Sequence, residues 1–416
     1  MARVLTPQDC HVLMNLLVKE ATGQDATIQA VDSSSFVSAG ETVLATGTEN
    51  TLNALSMVIG RTLMAVRPYK ARMRIIDALN TGAYTSRLRK ISFYSREAQA
   101  SGDWNTQLFT NLADDFDNGE NPAGTPPVAQ STKSMWVQNQ PQPLEVNFGG
   151  QSVWQDSTTV YEDQLKKAFR SESEFGEFVA GIMTEKGNDI ESQKEAFNRM
   201  AIINHIAGVY DMSSVMPGSV IDLTAAYNAE FNTSYNRQDL LTTYFDSFLK
   251  FFVAQFKLVS DYMEERSMNY HWSPTRPGYT LLRHTPKSKQ KAVLYAPLFT
   301  KAEAYVLPEI FNPQYLSLEN YEGVTFWQNQ NDRAAISCTP AVVNAGTGTI
   351  IAGTPVALDY VVGMIFDEDA LMVDYQLEDA LSTPVEARKR YRNIWWTFSK
   401  NIMADYTENA VIFYMG

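Results

Sequence analysis

Histidine and cysteine are the residues most often recruited for acid–base, nucleophilic or metal chemistry, and here their spacing supports none of it. His11, His205, His271 and His284 are scattered over 416 residues. None belongs to an HExxH or HxH pattern, which would bring two ring nitrogens to one metal. Cys10 and Cys338 lie far apart with no CxxC pair, so free thiols in a reducing compartment are expected, not a zinc or redox site. Cys10 and His11 are neighbours, yet adjacent residues on a helix point about 100° apart, which is wrong for a nucleophile and its base. Asp115, Asp117 and Gly119 approximate a calcium loop, but the glycine comes one place early and no acid closes the set, so a solvated acidic loop is the better account. Gly346-Thr347-Gly348 runs into Thr349-Ile350-Ile351 without the third glycine or the helix of a dinucleotide site, and reads as a hairpin turn. The phosphate-cradling GxxxxGK[ST] and the hydrolase GxSxG are absent. Acid pairs at Glu264-Glu265 and Asp367-Glu368-Asp369 read as solvated faces, the latter as a cap for a short helix leading to Leu371. No catalytic residue, metal or cofactor is expected.

Charge is more informative. The chain carries a net charge of -13, which favours solubility and argues against a dedicated nucleic-acid reader. Against that background the stretch 61–96 holds nine basic residues and one acid, Asp77. The bases are Arg61, Arg67, Lys70, Arg72, Arg74, Arg87, Arg89, Lys90 and Arg96. They could meet phosphates non-specifically. They could equally pair with the acids Asp103, Asp114, Asp115, Asp117 and Glu120 of an adjacent subunit, which accounts for both segments and is the preferred reading. The nine bases, with Asp114, Asp115 and Asp117, are the candidate inter-subunit or DNA-facing residues. A second cluster, Arg388, Lys389, Arg390 and Arg392, reads as an exposed helix face.

The elements that position these residues follow from periodicity. Residues 7–22 predict a short helix ending at Gly23, and 50–66 a second one stopped by Pro68, joined by a Ser- and Gly-rich link into an arm. Residues 87–95 and 144–154 predict two strands, the second broken at Gly149-Gly150, that together make a ribbon. Between them, 97–143 is proline-rich and too poor in apolar periodicity for a core, and a loop so long is functional or disordered. Apolar residues spaced by threes, fours and sevens from Phe175 to Ile203 predict one long helix, with a capping box at Ser171 and Glu174 and a stop at Gly208. Residues 213–382 mix elements without regular alternation: helices over 239–266 and 300–307, strands at 292–298, 324–328, 349–352 and 360–366, and a turn-rich loop at 341–348. Thr383-Pro384-Val385-Glu386 reads as an N-cap, a first-turn proline and a closing acid before a helix carrying Tyr391, Ile394, Trp395, Phe398 and Ile402. The terminal run 410–415 is an apolar strand. Asp246, Lys250, Gln255 and Lys257 interrupt the most apolar stretch, so it predicts a buried helix and no membrane span, and 1–7 is too short and polar for a signal peptide.

This succession of arm, ribbon with long loop, long helix, mixed lobe and closing segment resembles the major capsid protein of tailed bacteriophages, the Hong Kong ninety-seven fold. The run Thr383-Pro384, Tyr391, Trp395-Trp396 and Asp405 to Val411 is similar as well. The resemblance implies an α+β phage capsid fold. Residues 1–85 would be the N-terminal arm and 86–158 the extended β-loop. A peripheral domain with the spine helix would take 159–212, a mixed axial domain 213–382, and the return to the peripheral domain 383–416. It implies hexamers and pentamers of copies of the chain tiled into an icosahedral head around double-stranded DNA, non-enzymatic, located in the virion capsid and, during assembly, in the host cytoplasm. Scaffolding, decoration and portal proteins are further partners it allows. Gly176, Gly181 and Gly187 depart from an ideal spine: each costs ~1 kcal/mol relative to alanine and predicts a bend or a break. The rival readings are an encapsulin-like cellular compartment shell and an acidic cytoplasmic hydrolase with a site of dispersed Asp and Glu.

Overall fold

The computed structural model describes residues 7–23, 30–47, 49–55, 58, 76–79, 87–95, 141–149, 152–274, 279–305 and 321–416. Of the sequence-predicted site residues, Arg61, Arg67, Lys70, Arg72, Arg74, Arg96, Asp114, Asp115 and Asp117 lie outside them, as do 97–140 of the long loop.

The chain opens with α1 (Pro7–Thr22), where Pro7 occupies the first helical position and Asp9 and Lys19 oppose the helix dipole at its two ends. Then come α2 (Ser33–Ala45) and α3 (49–55). The sequence reading took the serines before Phe36 for a linker. They are a start signal instead: Asp32 accepts from the Ser35 amide while the Ser35 hydroxyl reaches back to the Asp32 backbone. These helices are not a loose arm either. Met14, Leu17, Phe36, Val43, Leu52 and Leu55 are buried against Leu165, Phe169, Phe175 and Val179 in a core of their own.

After α4 (Glu162–Ala168), α5 (Glu172–Asp211) runs unbroken for 40 residues, ~60 Å of rod. Ser171 caps it by accepting from the Glu174 amide. The three interior glycines do not interrupt it, and Gly208 is not its end. Tyr406 lies so close over Gly208 that any Cβ there would collide with the tyrosine ring and hydroxyl. The first half of α5 feeds the N-terminal core through Phe175 and Val179, and its last turns feed the main core through Ile202, Ile206 and Val209.

The main core is built on a five-stranded sheet in the order β5 (Val220–Asp222), β15 (Ala410–Tyr414), β12 (Val361–Asp367), β6 (Gln290–Tyr295), β7 (Tyr321–Val324). β12 is buried throughout and sits centrally, with Ile365 opposite Val411 on one side and Ala292 on the other. The predicted helix over 239–266 is split into α7 (Arg237–Leu241) and α8 (Phe245–Glu264). From α8, Phe252 and Phe256 pack on Phe413 of β15 with ring centroids 5.8 and 5.5 Å apart. α6 (Leu223–Phe231) covers the β5 end, and α9 (Ala296–Tyr305) begins where β6 stops, so the strand predicted over 292–298 ends at Tyr295 and its last residues start a helix. Two small two-stranded sheets, β8 (Ile336–Cys338) with β11 (Val356–Leu358) and, nested between them in the chain, the hairpin β9 (Ala341–Val343) with β10 (Ile350–Ala352), lie against α5.

A four-stranded sheet runs β1 (Asp77–Leu79), β13 (Leu371–Ser382), β14 (Tyr391–Ala404), β4 (Ser152–Tyr161). Here the sequence reading is corrected most. Residues 391–404 form a strand and not the closing helix, paired over ten positions with β4 and held in a hairpin with β13. Ile394, Trp396 and Phe398 alternate inward, a period of two that competes with the helical spacing in the same residues. Thr383 to Arg390 form the hairpin connection, with Arg390 in the left-handed region at φ 51°. The cluster Arg388, Lys389 and Arg390 is therefore a turn, not a helix face. Asp367 to Ala370 likewise close a tight turn into β13 instead of capping a helix.

The ribbon forms, but with a shorter second strand than the sequence predicts: of 144–154 only the part up to Gly149 belongs to it, and 152–154 open β4 of the four-stranded sheet. β2 (Arg87–Phe93) pairs antiparallel with β3 (Pro143–Gly149) in a two-stranded sheet that belongs to neither larger sheet. Among the described residues no helix is long and apolar enough to cross a membrane.

Candidate functional site

An isolated two-stranded ribbon is marginal in water, so the groups that hold its base decide how it is presented. Alternation along β2 sends Arg89, Ile91 and Phe93 outward and Lys90 and Ser92 inward. Lys90 meets the turn between β14 and β15. Lys90 Nζ lies 2.9 Å from Asp405 Oδ2 and 2.7 Å from Glu408 Oε1. Arg283 closes the set, donating from Nη2 to Ser92 Oγ at 2.8 Å and from Nε to the Thr407 carbonyl at 3.0 Å, with Glu408 3.2 Å away. Ser95 and Thr280 exchange backbone hydrogen bonds beside it.

The turn that receives Lys90 is itself rigid. Asp405 Oδ1 accepts from the Thr407 amide and hydroxyl at 2.9 and 2.7 Å, the local pattern that favours Asp and Thr in turns. Tyr406 donates to the Ala341 carbonyl at 2.7 Å, and its ring stacks on His205 of α5 at 5.1 Å. Burial works against the Lys90 charge, but Asp405 and Glu408 outweigh it and hold the ammonium above its ordinary pKa. Burial pushes the Glu408 carboxyl up, and Lys90 and Arg283 pull it back. Burial alone drives His205 down to about 4, so the ring is neutral at physiological pH.

This arrangement fastens the ribbon: in the anchor each acid has a cation and each cation an acid. In the groove along α5, Glu195 is likewise paired with Arg199 at 3.1 Å, and Arg199 stacks on Phe326 at 3.8 Å. Among the described residues no group of three His, Cys, Asp or Glu could hold a metal ion.

Of the basic residues singled out in the sequence, the structure places Arg89 on the outward face, 2.7 Å from Glu145 across the ribbon, and Lys90 at the anchor. The charge of Lys90 is thus taken up inside its own subunit. Arg87 lies on β2 opposite Gly149. Sequence reasoning missed Arg283, Ser92, Asp405 and Glu408 as a set. Its one available signal was the polar run Asp405 to Asn409 between two apolar segments, which marks a turn but not its partner 315 residues away.

The family model described as "Phi29-like phage major capsid protein" matches residues 127–414. No curated protein matches the chain. Among solved structures, the capsid of Staphylococcus phage Andhra aligns over 84% of this chain and 88% of its own, with 11% identity and a TM-score of 0.46. The capsid of the cyanophage P-SCSP1u aligns over 84% and 89%, with 11% identity and a TM-score of 0.41. The mature capsid of bacteriophage PhiM1 aligns over 83% and 87%, with 8% identity and a TM-score of 0.40.

Proposed function

The chain belongs to the Phi29-like phage major capsid protein family, and from that premise we propose how it builds its shell. It is a structural protein that forms capsids by self-assembly and resides in the virion capsid. The subunits associate as hexamers and pentamers into an icosahedral head enclosing double-stranded DNA, having assembled in the host cytoplasm, with scaffolding, decoration and portal proteins as auxiliary partners. Residues 86–158 act as the extended loop, 159–212 with 383–416 as the peripheral domain, 213–382 as the axial domain, to whose sheet the strand Ala410–Tyr414 returns, and 1–85 as the N-terminal arm, which braces the spine helix.

One observation carries this reading. The ribbon is fastened at its base by Lys90 and Arg283 yet turns apolar side chains to solvent, Ile91 at 52% and Phe93 at 61% exposure. A strand face of this kind, held still and uncovered, is a docking surface. An extended loop supplies contact area that a compact body lacks. The basic stretch 61–96 and the acidic stretch 103–120 add complementary charge for the neighbouring copy. A compartment shell would use the same docking face, and the family match favours the phage capsid over it; the hydrolase reading has no such observation in its favour.

Electron microscopy of the expressed chain, with nuclease protection to detect DNA in virions, tests the assembly. Deleting residues 100–140 should leave soluble subunits that no longer close into shells. Shells of unchanged stability from that deletion would remove the loop from the account.

A further inference from the structure

Behind the anchor lies a second buried cluster whose hydrogen-bond accounting does not close at ordinary ionisation states. His271 is fully buried, with Nε2 3.0 Å from the Leu281 carbonyl and Nδ1 3.1 Å from the Asn409 side-chain oxygen. The Asn409 amide nitrogen lies 3.1 Å from Thr285 Oγ1, and Thr285 Oγ1 lies 2.7 Å from Asp367 Oδ2. Asp367 Oδ1 accepts from the Asp369 amide at 2.9 Å. A carbonyl can only accept, so Nε2 carries a hydrogen. A neutral ring then presents a bare Nδ1 to a second acceptor, the Asn409 oxygen. Two arrangements repair this. In one, His271 is doubly protonated and Asp367 is a carboxylate. In the other, the Asn409 amide is rotated by 180° about its last torsion, which exchanges oxygen and nitrogen at no cost in volume. Its nitrogen then donates to Nδ1, Thr285 donates to its oxygen, and Asp367 must carry a proton on Oδ2 to donate to Thr285. The two arrangements hold the same number of protons, one more than a neutral histidine and an ionised aspartate.

We propose that His271 and Asp367 share this extra proton through Asn409 and Thr285 at neutral pH, that it resides on Asp367, and that its loss at alkaline pH loosens the ribbon anchor. Removing it, as a proton taken by hydroxide to give water, turns the Thr285 hydroxyl to the new carboxylate. The Asn409 oxygen then faces a lone pair in a site without solvent. Asn409 ends the turn that carries Asp405 and Glu408, so the disturbance falls on the groups that hold Lys90. The surrounding charges are accounted for. Arg283 opposes and Asp405 favours a charged His271, while burial disfavours it most. Burial, and to a smaller extent the Asp369 charge, push the Asp367 carboxyl above its ordinary pKa, against Lys90 and the hydrogen bonds from Asp369 and Thr285.

Asp367→Asn is the decisive variant, because its amide can donate to Thr285 and accept from Asp369 as the protonated acid does. It should keep the neutral-pH melting temperature of the assembled protein and remove most of its fall between neutral and alkaline pH. Hydrogen exchange at 87–95 and 405–409, corrected for its intrinsic pH dependence, should rise with pH in the parent and stay flat in the variant. An alkaline profile in Asp367→Asn identical to the parent would overturn the proposal. Should that variant not fold, infrared spectroscopy of the parent decides. A buried carboxylic-acid carbonyl band present at neutral pH and lost on alkalinisation supports the shared proton, and its absence at neutral pH refutes it.

Discussion

Replacing Lys90 with methionine keeps most of the length of the side chain and removes its charge. Asp405 and Glu408, whose side chains are 2% and 10% exposed, are then left behind. Breaking a buried ion pair from one side costs ~3–5 kcal/mol because the remaining charge is uncompensated. Three features lower the figure here. Arg283 still reaches Glu408 at 3.2 Å, Asp405 keeps both bonds from Thr407, and Lys90 itself is 22% exposed. A loss of about 2–3 kcal/mol is expected. Its pH dependence has a definite sign. The folded-state pKa of Glu408 is already raised by burial, and loss of Lys90 raises it further. A carboxyl with a raised folded pKa favours the folded state at low pH, and that benefit disappears as pH rises through the folded value. The deficit of the variant should therefore be small in acid and largest above neutrality. Urea denaturation of parent and variant across pH measures it, and Lys90→Met combined with Glu408→Gln should recover part of the loss. A deficit below about 0.5 kcal/mol that does not change with pH would refute the anchor, since that is the size expected of an exposed pair.

The other predictions use the same assay. Arg89→Ala, which removes a pair whose arginine is 58% exposed, should cost at most ~0.5 kcal/mol. Gly208→Ala should cost ~1–3 kcal/mol, because collision with Tyr406 outweighs the gain in helix propensity, whereas Gly181→Ala, with nothing within 4 Å of its Cβ, should gain up to ~1 kcal/mol. Equal effects from the two glycines would remove the Tyr406 contact from the account. Burial lowers His205 from 6.5 to about 4, so the parent keeps this contribution above pH 6.5 and loses ~3 kcal/mol as pH falls to about 4. His205→Phe should flatten that window, since among the described residues neither ring nitrogen has a hydrogen-bond partner to lose. An unchanged acid limb would show that another group titrates there.

The long helix, the ribbon strands and the C-terminal strand were legible in the sequence because their signals are local. Ser171 caps within three residues, the apolar spacing from Phe175 to Ile203 repeats within one face, and 410–415 is apolar without interruption. Residues 391–404 were misread because Tyr391, Ile394, Trp395 and Phe398 fit a helix while Ile394, Trp396 and Phe398 fit a strand equally well. Nothing in the segment itself chooses. The choice comes from β13 and β4, whose ladders on either side satisfy the backbone only if the segment is extended. The serines at 33–35 look like a linker to composition and like a cap to geometry.

The anchor lies further from local signals. From the sequence alone, Lys90 is one of nine bases in an acidic chain, and its partner could be a phosphate, a neighbouring loop or solvent. The amino-acid order determined that the chain would form a long rod, a separate two-stranded ribbon and a sheet-centred core, because capping, periodicity and turn chemistry act over a few residues. Only the tertiary structure decided that Lys90 faces inward to Asp405 and Glu408, and that Gly208 passes beneath Tyr406 and does not end the helix. Those outcomes depend on segments about two hundred residues or more apart meeting in a dry interior, where an unpaired charge or a misplaced methyl costs several kcal/mol, and no local rule sets which segments meet.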